Sequence, residues 1–120
     1  MPAVLVVDDD AAVRGMLCAA LSAQGYETLA AGNGREALAC LRGQARRPGL
    51  ILLDLMMPEM NGWEFLRVQR EDPDLARIPV AVITVLANLE GRAPELGAVD
   101  LLAKPSRIET LMPLVARLCA

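Results

Sequence analysis

The stretch LILLDLMMPEMNG, residues 50–62, decides how this chain folds. Leu50-Ile51-Leu52-Leu53 follows Pro48-Gly49, carries no polar residue and is too short for a helix. An apolar run of that kind reads as a strand buried on both faces, as in the middle of a parallel sheet. It ends on Asp54, and Pro58, Asn61 and Gly62 mark a loop before helical spacing begins at Trp63. A carboxylate at the carboxyl end of a central parallel strand points into the crevice where open α/β sheets bind ligands. Taken alone, it serves equally well to start a turn or cap the next helix. The rest of the chain separates those readings.

Upstream, Ala3 to Val7 is a second short apolar run, a second central strand, and it ends in Asp8-Asp9-Asp10. Val13, Met16, Leu17, Ala20 and Leu21 then recur at helical spacing, and Gly25 supplies the stop. Asp10 or Asp9 can cap that helix. Capping accounts for one acid; several carboxylates crowded at a strand end repel one another unless a cation sits between them. Tyr26 to Ala31 alternates and reads as a strand nearer the sheet edge. Gly32-Asn33-Gly34 turns the chain into a short helix over Arg35 to Leu41, and 43–49, with Arg46-Arg47, is a solvated connection.

Downstream, a helix over Trp63 to Glu71 stops at Asp72-Pro73. Val80 to Thr84 is a fourth buried strand and ends in a hydroxyl. Asn88 to Leu96 is a weak helix, interrupted by Gly91 and Pro94. Val99 to Ala103 is a fifth strand running into Lys104-Pro105. Ile108, Leu111, Met112, Val115 and Leu118 form a last amphipathic helix, in which Pro113 is harmless if the helix starts near Glu109 or Thr110.

Five short strands alternating with helices predict an α/β fold: a doubly wound, five-stranded parallel sheet with right-handed crossovers and helices on both faces. The 120 residues are read as one domain, 1–120, with no effector domain present. The chain is 54% hydrophobic with three aromatic residues, so Leu, Val, Ala and Met make its core. Twelve basic against fifteen acidic residues, a formal charge of −3 and no basic tract argue against direct nucleic-acid binding. No apolar run approaches the ~18 residues of a membrane span, and no signal peptide is evident. Cys18, Cys40 and Cys119 are scattered in apolar helical patterns and read as free thiols in a reducing cytoplasm. Without histidine, imidazole acid–base and metal chemistry is excluded.

Asp8, Asp9, Asp54, Thr84 and Lys104 all fall at the carboxyl ends of predicted strands, which a parallel sheet places along one edge. Carboxylates without His or Cys suit a hard cation, Mg²⁺ or another divalent such as Mn²⁺. A lysine and a hydroxyl opposite suit phosphoryl oxygens, and a carboxylate beside the cation can be the nucleophile that accepts them.

With those residues in place, the chain resembles the receiver domain of bacterial two-component response regulators, of the chemotaxis-receiver type, over nearly its whole length. VLVVDDD resembles that family's first strand and acidic pair, LILLDLMMPEMNG its phosphoacceptor strand and loop, VAVIT its fourth strand and GAVDLLAKP its fifth strand with the lysine. The resemblance implies a flavodoxin-like strand order, 2-1-3-4-5. It implies Asp54 as phosphoacceptor, with Asp9, Asp54 and the Met56 backbone carbonyl as metal ligands and Asp8 orienting water of the ion. Thr84 and Lys104 then bind the phosphoryl group, and a cis bond precedes Pro105. The implied partners are a sensor histidine kinase or phosphotransfer protein, a downstream target or effector domain, and a second copy on phosphorylation. The implied location is the cytoplasm, and the implied role is signalling rather than enzymatic turnover.

Departures from the family pattern gather on the output side. Val85 stands where Ala or Gly is usual, Leu101 replaces a usual Tyr or Phe, and Ser106 replaces a frequent aromatic. Leu86 and Met56 flank the expected path of water to Asp54. The twelve residues 85–96 are a couple fewer than the family uses, so the fourth helix should be short or irregular. Two other readings use the same residues: a degenerate receiver that binds partners without a phosphorylation switch, and a small phosphohydrolase with an aspartate nucleophile. The phosphohydrolase would need a cap or substrate-specificity insert that the chain lacks.

Overall fold

Unbroken apolar runs become strands here because only the interior of a two-faced parallel sheet hides them completely. The computed structural model describes residues 3–43, 47–84, 93–103 and 108–119. In chain order the elements are β1 (Ala3–Val7), α1 (Ala11–Ala23), β2 (Glu27–Ala31), α2 (Gly34–Gly43), β3 (Leu50–Leu53), α3 (Gly62–Glu71), β4 (Val80–Thr84), α4 (Ala93–Leu96), β5 (Asp100–Ala103) and α5 (Ile108–Leu118). Strands β2, β1, β3 and β4 lie side by side in that order, all parallel, and β5 pairs parallel with β4. This is the flavodoxin-like α/β arrangement expected from the sequence. β1 after Ala3, β3 and β4 are buried throughout, whereas β2 is largely exposed or half-buried at the edge.

The period-two alternation of the strands divides the core in two. Leu5, Val7, Ile51, Leu53, Val80 and Val82 point to one face, where Leu38 and Leu41 of α2 and Phe65 and Leu66 of α3 cover them. Val4, Val6, Leu50, Leu52, Ala81 and Ile83 point to the other, against Leu17 and Leu21 of α1 and Leu111, Leu114 and Val115 of α5. Each fully buried Val, Leu, Ile or Phe side chain among them contributes about 1.5–3 kcal/mol by leaving water.

Helix ends follow local rules. Asp10 caps α1, accepting from the amides of Ala12 and Val13. Gly25, at φ 92°, closes that helix with Gly25 N–H donating to Ser22 O and Tyr26 N–H to Leu21 O. These are the paired bonds of a Schellman turn, which favours glycine at this position. Asn61 and Glu64 form a capping box at the start of α3.

Two details differ from the sequence reading, and a third, Gln69, was no part of it. Helix α2 begins at Gly34 and runs to Gly43, longer at both ends than expected. Helix α5 begins at Ile108, so Pro113 lies in its interior rather than in the first turn. There it removes a helical N–H, and it sits at an exposed position. Gln69, polar and on α3, is buried and donates to Leu75 O at 2.7 Å and Ile78 O at 3.1 Å. That amide holds the turn leading into β4. The expected helix over 88–96 is described only as α4, and Arg46 lies outside the described residues. No helix among the described residues is long and apolar enough to cross a membrane.

Candidate functional site: an acidic pocket at the ends of β1 and β3

The ladders carry the acids into place. Asp8 N–H donates to Ala31 O at 3.1 Å, extending β1 one residue past its end, and Asp54 N–H donates to Val7 O at 2.9 Å. Val7 pairs with Leu53, so the residues that follow, Asp8 and Asp54, emerge side by side. β1 and β3 are also where the strand order reverses, the position at which open α/β sheets form ligand crevices. Asp8, Asp9 and Asp54 each offer a carboxylate oxygen within 4.8 Å of the others. Asp8 and Asp54 are buried; Asp9 is exposed.

The three adjacent acids of β1 divide their work. Asp10 is the helix cap, which settles the choice between Asp9 and Asp10 and leaves Asp9 to the pocket. Asp8 accepts from Asp10 N–H through Oδ1 at 2.9 Å, and its carbonyl accepts from the Arg14 guanidinium at 2.6 Å. Two like charges about 5 Å apart repel by roughly 3 kcal/mol at an effective dielectric of 20. The clustering is therefore unfavourable on its own, and a bound cation relieves it. An all-oxygen donor set at this spacing fits a hard divalent ion.

Asp54 Oδ1 accepts from Met56 N–H at 3.2 Å, which curls the loop after β3 back over the acid. The Met56 side chain is 50% exposed and takes no part in the core. Gly62 closes the same loop with its N–H on Leu55 O; a Cβ there would stand 2.7 Å from Asp54 O, so this position has no room for a side chain. Thr84 ends β4 fully buried. Lys104, Val85, Leu86, Pro105 with its implied cis bond, and Ser106 lie outside the described residues, as does the Leu101 side chain. The backbone of Leu101 pairs with Val82 in β5.

The sequence marks the turn before α2 at Gly32-Asn33-Gly34, but the contacts its side chains make were not read from it. Asn33 is buried, accepts from Glu36 N–H at 2.9 Å and donates to Glu59 of the β3–α3 loop at 3.3 Å. The available signal was the N-G-x-E spacing of Asn33 to Glu36, which Asn61 to Glu64 repeats.

A parallel sheet with three carboxylates gathered at its topological switch defines a class of small α/β domains with an acidic pocket at the strand ends. A family model described as the response regulator receiver domain matches residues 4–116, and the chain belongs to that family. The DNA-binding response regulator MtrA of Mycobacterium tuberculosis is 39% identical over 116 residues, covering 91% of this chain and 46% of MtrA. The chain thus spans less than half the length of the curated relatives it matches. Among solved structures, the signal receiver domain of a signal transduction histidine kinase from Syntrophus aciditrophicus superposes with a TM-score of 0.88 at 36% identity, over 99% of this chain and 90% of that one. The response regulator TrrA of Thermotoga maritima, solved in complex with Mg²⁺-BeF, gives 0.83 at 28% identity, over 98% and 99%.

The chain is accordingly a receiver domain of two-component response regulators, a signalling domain rather than an enzyme in the ordinary sense. Phosphorylation on an aspartate is the general property of that family. The expectation that nucleic acid is no partner gains no support from the relatives, since MtrA is described as DNA-binding.

Proposed function

We propose that Asp54 is the aspartate that accepts the phosphoryl group, within one receiver domain spanning 1–120. The observation that carries this is the convergence of Asp8, Asp9 and Asp54 within 4.8 Å at the β1/β3 switch. Asp9, Asp54 and the Met56 carbonyl hold Mg²⁺, with Mn²⁺ an alternative, and Asp8 orients water beside it. When bound, the cation supplies charge neutralisation for the carboxylates and the incoming phosphoryl oxygens. Its presence in TrrA, with a beryllium fluoride group, supports the same assignment here.

In the transfer, an Asp54 carboxylate oxygen forms a bond to phosphorus while the bond from phosphorus to a histidine nitrogen of the donor breaks. The donor nitrogen keeps the electron pair and the phosphoryl charge passes to Asp54. Burial of Asp54 keeps bulk water away from the reacting oxygen. The Thr84 hydroxyl and the Lys104 ammonium are assigned to the phosphoryl oxygens, on the full 2-1-3-4-5 sheet that brings both strand ends to the pocket. Val85, Leu86 and Leu101 are assigned to the output side. The partners are a histidine kinase or phosphotransfer protein in the cytoplasm and a downstream target, an effector domain or a second copy. MtrA's description makes a DNA-binding effector one candidate output.

Intact-mass analysis after incubation with Mg²⁺ and acetyl phosphate tests the assignment. One phosphoryl group per wild-type chain and none on Asp54→Asn is the expected result. Equal labelling of Asp54→Asn would overturn it.

A further inference from the structure

We infer that the junction of β2 with the first turn of α2, Gly32–Glu36, braces the two acid-bearing loops against each other, with Asn33 as the positioning residue of the metal pocket. This rests on the cation reading above and supplies what that reading lacks, a reason for the loops to hold their spacing. None of these residues is a ligand. Their place is what matters: they bond directly to the β3–α3 loop and follow Ala31, whose carbonyl accepts from Asp8 N–H.

On the β3 side, two bonds tie the turn to the loop that carries Asp54 and Met56. Asn33 Nδ2 donates to Glu59 Oε2 at 3.3 Å, and Gly34 N–H donates to Met60 O at 2.8 Å. The approach at Gly34 is so close that a Cβ would lie 2.7 Å from Met60 Cγ and 2.9 Å from Met60 O. Glu59 meanwhile holds φ at 60°, a left-handed backbone that a side chain such as glutamate rarely adopts without outside contacts to hold it.

On the β1 side, Ala31 O accepts from Asp8 N–H, and Gly32 N–H donates to Glu36 Oε1 at 2.9 Å. The Arg14 guanidinium, which donates to Asp8 O, lies against Gly32: a Cβ there would be 3.7 Å from its Nη1. The turn therefore fits between the backbone anchor of Asp8 and the loop of Asp54.

Capping alone does not require this arrangement. The cap of α2 uses only Asn33 Oδ1, on Glu36 N–H. Asn61 caps α3 through the same N-G-x-E spacing, yet its Nδ2 makes no hydrogen bond among the described residues. Asn33 Nδ2 has two acceptors, Glu59 and, at 3.5 Å, Glu36, and the residue is buried. The additional donor is what reaches the phosphoacceptor loop. Groups that orient ligands without touching the ion commonly change affinity by ten- to a hundredfold when removed.

The test uses Asn33→Ser, Glu59→Ala and Glu59→Gln in the whole chain. Serine retains a capping oxygen but cannot reach Glu59; glutamine retains an acceptor for Asn33. Magnesium titration by calorimetry should show the dissociation constant raised about tenfold in Asn33→Ser and in Glu59→Ala, and near wild type in Glu59→Gln. The metal-free melting temperature of Asn33→Ser should stay near wild type, which separates positioning from a merely structural role. The double variant Asn33→Ser/Glu59→Ala should be no weaker than either single, because both remove the same bond. Hydrogen exchange without metal should quicken at Leu55 to Asn61 in both bond-breaking variants. Unchanged affinity and unchanged exchange in those variants would overturn the brace, as would Glu59→Gln behaving like Glu59→Ala. Should the wild type bind no magnesium, the cation reading fails, and faster or unchanged exchange still decides for or against the brace.

Discussion

Two groups of carboxylates stand at the same edge of this sheet and behave differently. At the helix starts, Asp10, Glu36 and Glu64 accept from backbone amides, and each is explained by the helix it closes. At the strand ends, Asp8 and Asp54 also accept from backbone amides, those of Asp10 and Met56, but together with Asp9 they crowd within 4.8 Å of one another. The first group stabilises the chain by satisfying orphan donors and the helix dipole. The second carries a mutual repulsion that a divalent cation would relieve. An acid that a local rule explains belongs to the architecture; acids that remain after the local rules are applied point to the chemistry.

The widest separation between the groups is in phosphoryl transfer. Asp54→Asn should abolish labelling completely, whereas Asp10→Asn, which keeps a capping oxygen, should label like wild type; mass analysis of both checks this. Stability should separate them next. Saturating Mg²⁺ at a hundred times its dissociation constant stabilises the native chain by about 2.7 kcal/mol. Asp9→Ala should lose that gain and melt above wild type without metal, since it relieves repulsion. A thermal scan with and without Mg²⁺ reads both effects.

Next in size is the neighbour that carries no charge. Met56, two residues after Asp54, is half-exposed, and its side chain offers water no hydrogen bond. Met56→Asn should hasten phosphate loss about tenfold, equivalent to ~1.4 kcal/mol of barrier, measured by the decay of the labelled mass after donor removal. Asp10→Ala should lower stability by about 1 kcal/mol with or without Mg²⁺, the usual effect of removing a cap.

The smallest effect lies away from the edge. Burial pushes the Cys40 and Cys119 thiols up from their ordinary value. As pH rises, the unfolded thiols ionise first, so the stability they contribute is intact below the ordinary thiol range and is lost on rising through the raised values. A slight fall in melting temperature above about pH 9, absent in Cys40→Ala/Cys119→Ala, is expected.

Much of this was legible because it is periodic. β1, β3 and β4 lie within the boundaries their apolar runs mark, and the acids at their ends follow from that placement. Of the helix caps, that of α1 was legible, with Asp10 as one of two choices, while the N-G-x-E spacing at Asn33 and Asn61 passed as turn and loop. The Asn33–Glu59 bond was not legible, because it joins residues 26 positions apart through one amide and leaves no repeating pattern. Gln69 escaped for a related reason: a polar residue on a helix reads as solvent-facing, and only the turn at Leu75 to Ile78 explains its burial. The last helix was legible from Ile108 onward, but the condition that made Pro113 harmless, a start near Glu109 or Thr110, is not met. The structure instead carries the proline at an exposed interior position.

The central claim is that the strand-end acids are kept for a cation and the helix-start acids are not. Calorimetric titration of Mg²⁺ into wild type, Asp9→Ala and Asp10→Ala tests it most directly. One ion per chain in wild type and in Asp10→Ala, with none in Asp9→Ala, is the predicted result. Undiminished binding by Asp9→Ala, or binding lost in Asp10→Ala while its fold persists, would contradict it.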